Sequence, residues 1–324
     1  MRDRRTRSRT ALAVALLVPL LTMAAVDEDF SARLDAMWDF DAPATSETRF
    51  RAELARHPAD SREARETTTQ RARALGLQRK FAAADAALDT LAAALPDAPA
   101  RIRVRYLLER GRIRNSSGQP AQAVPLFADA LAASKSDKLP GADFYRVDAL
   151  HMLAIAAPTD ERLKWHVEAL AAADASSNPR ARGWRASLLH NLGWTFHERK
   201  EYATALDYWQ KALAAREAAG NTALIRVAKW TVARGLRSLA RLDEAEAIQL
   251  ALAAEMERSG TPDGFVYEEL AEIALARNDA AAAKPRAAKA YALLANDIWL
   301  KTNEQDRLAR LARIGGIASG AASR

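Results

Sequence analysis

Apolar, small and polar residues follow a helical rhythm along most of the chain. After residue 26 the sequence is dominated by Ala, Leu, Arg and Glu, which favour helices. No run of alternating β-branched residues indicates a sheet. Glycines and prolines fall mainly in short clusters, which are typical of turns. The pattern therefore predicts an all-α protein in which many helices are separated by short turns.

The clearest unit of the pattern lies between residues 188 and 213. Its large apolar positions hold Leu189, Leu192, Phe196, Tyr202 and Trp209. Its small positions hold Gly193, Ala205 and Ala212. Two helix axes about 8–10 Å apart leave room only for small side chains at their crossing. We therefore expect Gly193 and Ala205 to face each other where two helices cross.

The first small position recurs along the chain at near-constant spacing. It is occupied in turn by Ala72, Gly111, Ala154, Gly193, Ala233 and Ala271, with separations of 39, 43, 39, 40 and 38 residues. Twelve residues after five of these positions stands an alanine, at Ala84, Ala123, Ala205, Ala245 and Ala283. One such alanine means little in an alanine-rich chain, but five in a single frame indicate a structural repeat.

This arrangement resembles the tetratricopeptide repeat (TPR) family. The resemblance implies a right-handed superhelical solenoid of about six stacked antiparallel helix hairpins over residues 65–298. Flanking them, we expect capping helices over residues 27–64 and 299–314 and a flexible tail over residues 315–324. A spacing near 40 exceeds the usual ~34 residues by more than one helical turn, which indicates elongated hairpins.

The third repeat departs from this frame. Pro158 comes one turn early and is followed by Thr159, Asp160 and Glu161, which form a good start for a helix. His166 stands where the frame calls for alanine. The sequence therefore predicts a shorter first helix and a longer second helix in this hairpin.

The N-terminal residues form a pattern of their own. Residues 1–9 carry five arginines and one aspartate, and residues 11–26 are uncharged and mostly apolar. This order predicts a signal peptide over residues 1–25, cleaved near Ala24 or Ala25, and a periplasmic or secreted protein. The run is shorter than the roughly 20 residues of a comfortable membrane span, so no stable span is expected after cleavage. An uncleaved membrane anchor is the alternative.

The charge and the cysteine content of the chain exclude several kinds of site. The net charge is +7, and the predicted signal peptide carries +4 of it, which leaves about +3 dispersed along the rest of the chain. A balance of this size does not make a nucleic-acid-binding surface. The chain has no cysteine, which excludes disulfides, thiolate metal sites and a cysteine nucleophile.

The search for catalytic chemistry gives no candidate. The five histidines are His57, His151, His166, His190 and His197. His190 and His197 share a helix face but lie two turns apart, about 10 Å along the axis, which does not suit one metal ion. No nucleophile elbow, phosphate loop or dinucleotide motif occurs, and the acidic pairs Asp243-Glu244 and Glu268-Glu269 are interpreted as helix caps and exposed faces. We expect no catalytic residue, no metal, no cofactor and no enzyme activity.

The resemblance instead implies a binding groove lined by the first helix of each hairpin. The residues it places there are Arg105, Arg112, Asn115, His190, Trp194, His197, Trp230, Arg234 and Arg237. Aromatic and basic groups together suit a protein or an extended peptide with some acidic character. The alternative is that Trp194 and Trp230 pack between repeats and bind nothing.

The sequence therefore favours a non-catalytic, protein- or peptide-binding TPR scaffold in the periplasm of the bacterial cell envelope. A permanent helical accessory subunit of an envelope assembly is the alternative, and an enzyme is a remote one. Because one fold supports many functions, the groove residues carry this hypothesis more than the repeat does.

Overall fold

The structure, a computed structural model, describes residues 30–136 and 138–317, and these residues form helices and turns without a strand. The chain divides into two compact units, residues 1–183 and residues 184–324. The predicted signal peptide lies outside the described residues. The predicted all-α fold of antiparallel helix hairpins is confirmed in each unit.

Unit 1 contains two N-terminal helices and three hairpins. Its helices are α1 (residues 30–36), α2 (Pro43–Leu54), α3 (Arg62–Leu77), α4 (Phe81–Asp89), α5 (Ala100–Ser116), α6 (Pro120–Ala133), α7 (Ala142–Ala156), α8 (Thr159–Ala175) and α9 (Pro179–Arg182), with a 3₁₀ turn at Ala92–Ala94. The hairpins are α3–α4, α5–α6 and α7–α8, and each packs on the next along the chain.

Unit 2 contains three further hairpins and a C-terminal pair of helices. Its helices are α10 (Arg185–Glu198), α11 (Tyr202–Ala219), α12 (Thr222–Ser238), α13 (Leu242–Arg258), α14 (Gly264–Ala276), α15 (Ala280–Leu294), α16 (Ile298–Asn303) and α17 (Gln305–Gly315). The hairpins are α10–α11, α12–α13 and α14–α15, and α17 packs on α15.

Five of the six hairpins turn in the same way. Three residues join their two helices, and the residue seven positions after the first small residue has a left-handed backbone: Arg79, Gly118, Lys200, Ala240 and Asn278. The next amide then bonds back to the last helical turn, as Lys80 N does to Leu75 O at 3.0 Å. This is the Schellman end of a helix, which satisfies carbonyls that the helix leaves unpaired.

The first small residues of the frame are buried, and at two of them a glycine lies against a large aromatic ring. The indole of Trp209 lies against Gly193, and its Nε1 donates to His190 O at 3.1 Å. The ring of Phe127 lies against Gly111 in the same way. The glycines therefore make room for a large aromatic side chain of the second helix.

The third hairpin turns differently because of Pro158. Two residues instead of three join α7 to α8, and Pro158 precedes the first residue of α8. Proline has no N–H to bond back to the end of α7. His166 occupies the second-helix alanine position and is buried, and this burial lowers the pKa of its imidazole to about 4, with smaller contributions from His151 and Arg162. His166 is therefore packed as a neutral side chain at pH 7.

The C-terminal segment differs from the single capping helix predicted over residues 299–314. Glu304, with φ −134°, ends α16 and begins α17. Thr302 and Asn303, directly before the break, are weak helix formers, which fits the end of α16 at this point. A flexible tail is predicted over residues 315–324, but Gly315 is the last residue of α17. Residues 318–324 lie outside the described part of the chain.

Candidate functional site

A cavity of about 1050 Å³ opens on the first helices of unit 2. Residues of α10, α12, α14 and α17 line it, together with two residues near the end of α13. Its apolar lining consists of Trp194, Ala223, Val227, Trp230, Leu252, Met256, Phe265 and Val266. Ligand sites are typically concave and mostly apolar with a few fixed polar groups, and this cavity has both properties.

Two tryptophans form one wall of the cavity. The ring centroids of Trp194 and Trp230 lie 6.4 Å apart with their planes tilted by 35°. Trp230 Nε1 donates to Phe265 O at 3.0 Å, and Trp194 Nε1 donates to His190 Nε2 at 3.1 Å. Both indole N–H groups are therefore satisfied inside the protein, and each ring is held in one orientation before any ligand arrives.

The two predicted groove histidines of α10 support this wall and are not cationic. Burial, with a smaller effect of Arg216, lowers the pKa of His190 to about 4, so its imidazole is neutral at pH 7 and Nε2 can accept the Trp194 hydrogen bond. Burial followed by Arg234 lowers the pKa of His197 as well. His197 Nε2 lies 2.9 Å from Ser238 Oγ, which fixes the ring within the hairpin stack.

Arg234 and Arg237 line the cavity as part of an internal ion-pair cluster. Both guanidinium groups bind the carboxylate of Glu269, with Arg234 Nη1 at 3.3 Å and Arg237 Nε at 2.5 Å. Glu269 is only 1% exposed. The Arg234 guanidinium also lies over the rings of Trp194 and Trp230, at 5.6 and 5.7 Å from their centroids. Arg234 therefore packs against the aromatic wall, and both arginines are paired with a buried carboxylate of the protein.

The other arginines of the lining are paired in the same manner. Arg307 binds both carboxylate oxygens of Glu268, at 2.6 and 2.8 Å, and Arg226 binds Glu255 at 2.7 Å. The lining carries four arginines against five carboxylates. Its charge is thus close to balanced, and a strongly acidic ligand gains no net attraction from it.

The structure separates the predicted groove residues into two groups. Trp194, Trp230, Arg234 and Arg237 line the cavity of unit 2. Arg105, Arg112 and Asn115 lie on α5 in unit 1. None of these three α5 residues lines that cavity.

Arg105 is a buried structural residue, only 3% exposed. Its guanidinium donates to Tyr145 Oη at 2.9 Å and to Ser31 Oγ at 2.8 Å, and lies 3.6 Å from Glu66. Burial alone would lower the pKa of Arg105, but Tyr145, Glu66 and Asp35 outweigh it and hold the pKa above its ordinary value. In this structure the protein's own residues pair the charge of Arg105, at the contact that the sequence assigns to a ligand.

Arg112 is engaged within unit 1 as well. It binds Glu109 at 2.6 Å and forms a second, shorter pair with Asp148 on α7. Burial raises the pKa of Asp148, but Arg112 and Arg73 outweigh it and hold that pKa below its ordinary value. Asn115 is half-buried near the end of α5. Neither residue forms a ligand cavity in the described part of unit 1.

Sequence reasoning missed several residues of the cavity. Val227 and Phe265 each stand six residues before the first small residue of their repeat, so the frame itself could have identified them. Glu268 and Glu269, interpreted as a cap or an exposed pair, lie inside α14 and hold the lining arginines. That interpretation was wrong because an arginine partner on a neighbouring helix leaves no mark in local sequence.

No group of three or more histidine, aspartate or glutamate side chains among the described residues is arranged to hold a metal ion. None of the described helices combines the length and apolar character needed to cross a membrane.

The sequence matches no protein-family model and no curated protein. Solved structures, in contrast, share the fold. The apo form of RapI has a TM-score of 0.63 at 10% identity, over 88% of this chain and 83% of RapI. A signal transduction ATPase with a tetratricopeptide repeat sensor from Pyrococcus horikoshii has a TM-score of 0.62 at 15% identity, over 83% of this chain and 41% of the ATPase.

A third similar structure contains a bound partner. It is a Rap protein complexed with competence and sporulation factor, with a TM-score of 0.52 at 12% identity, over 89% of this chain and 76% of the Rap protein. At these identities the similarity shows the fold, which is a TPR-like arrangement of helix hairpins.

Proposed function

We propose that the protein is a non-catalytic scaffold that binds a protein or peptide segment in the cavity of unit 2. The observation that carries the proposal is the apolar cavity whose aromatic wall is already fixed by hydrogen bonds and ion pairs. A fixed wall reduces the ordering cost that a flexible site would incur on binding. A Rap protein of similar fold, crystallised with competence and sporulation factor, supports the use of this fold for holding a partner.

The chemistry of the lining favours an apolar segment over a strongly acidic one. The arginines are neutralised by carboxylates of the protein itself, so the free energy available to a ligand comes mainly from covering Trp194, Val227, Trp230 and Phe265. Fully desolvated aromatic anchors dominate the affinity of most interfaces. We therefore propose a partner segment with at least two large apolar side chains and little net charge.

Val227 offers a substitution that tests the cavity without disturbing the fold. Its side chain is 47% exposed and lines the cavity, so Val227→Glu places a charge in the apolar site while leaving the helix packing intact. We expect the variant to lose partner affinity by about tenfold or more, because a carboxylate must be desolvated on binding. Affinity capture from envelope extracts, followed by quantitative mass spectrometry and titration with the captured partner, measures the loss.

Leu250 provides the matched control. It is 48% exposed on α13, in the same hairpin as Val227, but it is not part of the cavity lining. Leu250→Glu should retain the partner within about twofold, and both variants should melt close to the parent. A Val227→Glu protein that captures the same partner with parental affinity would rule out the cavity as the binding site.

One observation favours a second candidate, a permanent helical subunit of an envelope assembly. Ile298 and Trp299 on α16 are exposed, Ile298 by 81%. Adjacent large apolar side chains at an end of unit 2 are typical of a surface covered by a permanent partner. The two candidates differ in the substitution that releases the partner: Ile298→Ser for the assembly and Val227→Glu for the cavity.

We further propose that the protein acts in the periplasm or outside the cell. The support is the order of a basic segment, an uncharged run and small residues over positions 1–25. Cell fractionation with N-terminal sequencing should find a mature protein that begins near Asp27. A cytosolic protein that retains Met1 would contradict the proposal.

A further inference from the structure

The chain's own residues 30–40 lie along the first helices of unit 1. Ser31 Oγ and Asp35 contact the Arg105 guanidinium of α5, at 2.8 and 3.5 Å. Farther along the segment, Trp38 Nε1 donates to Gln70 Oε1 of α3 at 3.1 Å. The segment therefore crosses α5 and α3 one after the other, as a peptide lying across a hairpin stack would.

Aromatic contacts hold the C-terminal end of this segment. The rings of Trp38 and Phe40 stack with centroids 4.8 Å apart. The Arg73 guanidinium of α3 lies 5.5 Å from the centroid of each ring. A cation close to aromatic rings is a favourable contact even at the surface, and Arg234 likewise lies close to the two tryptophans of unit 2.

The repeat frame shows that the covered face of unit 1 is equivalent to the cavity face of unit 2. Arg105 lies six residues before Gly111, as Val227 lies six residues before Ala233. The position directly after the first small residue corresponds as well: Arg73 follows Ala72, and Arg234 follows Ala233. The residues touched by residues 30–40 are thus the counterparts of residues that line the open cavity.

The segment combines deep anchors with contacts that can be released. Phe30 and Leu34 are buried in a cluster with Phe50 and Ala74. In contrast, Phe40 is 59% exposed, and Asp35 binds Arg180 of α9 at 2.8 Å in a pair that is partly exposed on both sides. Exposed ion pairs and surface rings contribute little stability individually, so a competing ligand can begin at this end.

We propose that residues 30–40 are an internal ligand of unit 1, and that a partner segment of the same chemistry binds the face of α3 and α5 by displacing them. That chemistry is a short helix with a carboxylate for Arg105 and an aromatic pair for Arg73. The interaction would add a regulated site to the constitutively open cavity of unit 2, and it does not depend on what that cavity binds.

A synthetic peptide of residues 30–41 with a fluorescent label tests the proposal on the full-length protein. The loosened variant, Ser31→Ala with Asp35→Ala, alters the covering segment and leaves the covered face unchanged. It should bind the peptide at least about tenfold more tightly than the parent by fluorescence anisotropy, because the internal competitor is weakened. A peptide with Asp35→Asn and Trp38→Ala should lose this binding. Equal affinity of parent and loosened variant would overturn the proposal.

Two further measurements make the outcome decisive. Val227→Glu in the loosened variant should leave peptide affinity unchanged, whereas a loss of affinity would place the peptide in the unit 2 cavity and contradict the proposal. Hydrogen–deuterium exchange of the parent protein gives a test that does not require the variant to fold. Saturating peptide should accelerate exchange of the α1 amides, and unchanged exchange at saturation would show that residues 30–40 are a fixed part of the core.

Discussion

Replacement of Gly193 by alanine is expected to destabilise the protein by about 2 kcal/mol, although alanine is the better helix former by about 1 kcal/mol. A Cβ at this position would overlap the indole of Trp209, which is fully buried and whose Nε1 is bonded to His190 O. Overpacking of a filled core typically costs about 1–3 kcal/mol, and Gly193→Leu should cost more. Thermal or urea unfolding followed by circular dichroism measures the change.

Gly76 supplies the matched control for this substitution. It also lies within a first helix, but a Cβ there would meet only Ile113 Cγ1, at an ordinary 3.7 Å. Gly76→Ala should therefore stabilise the protein or leave it unchanged, since only helix propensity acts. If both alanine variants change the free energy of unfolding in the same direction, the close packing of Trp209 on Gly193 does not explain the change at Gly193.

Replacement of Arg105 by methionine should have the largest effect of any charge substitution in unit 1. The guanidinium is buried against Glu66, which is itself buried, and also holds Tyr145 and Ser31. Removing one partner of a buried pair leaves an uncompensated charge and typically costs about 3–5 kcal/mol. The free energy of unfolding of the Arg105→Met protein should fall by this amount.

Arg103 gives the control on the same helix. It is exposed and donates only to Ala98 O at 3.2 Å, so Arg103→Met should change stability by no more than about 0.5 kcal/mol. Adding Glu66→Gln to Arg105→Met should recover part of the loss, because it removes a buried carboxylate that has lost one of its ion-pair partners and keeps Arg101, at 3.9 Å. An Arg105→Met protein as stable as Arg103→Met would mean that the buried ion pairs contribute nothing to unit 1.

The fold could be predicted because its signal is repeated along the chain. Close packing of two helices requires small residues where they cross. Five hairpins meet this requirement with a small residue in the first helix and an alanine twelve residues later. The same frame located Trp194, Trp230 and Arg234 on the cavity side of their helices. Helical periodicity fixes the side of a helix on which a residue lies, and this much of the site follows from sequence.

Helical periodicity does not predict which residues pack over the groove side of a helix. Arg105 occupies a groove position in the frame, yet Ser31 and Tyr145, which are distant from it in sequence, enclose it. Arg234 and Arg237 share Glu269, which lies more than thirty residues away. Such partners are set by tertiary packing, so periodicity alone does not show whether a basic residue at a groove position is already paired within the protein.

The three-residue turn described for five hairpins also bears on how such a chain can change in length. Inside a hairpin the turn is fixed at three residues, because one left-handed residue and one returning hydrogen bond must both be kept. Between hairpins the connection varies from two residues before α12 to five before α14 and ten before α5. A change in chain length is therefore accommodated more readily between hairpins than in the turn within a hairpin.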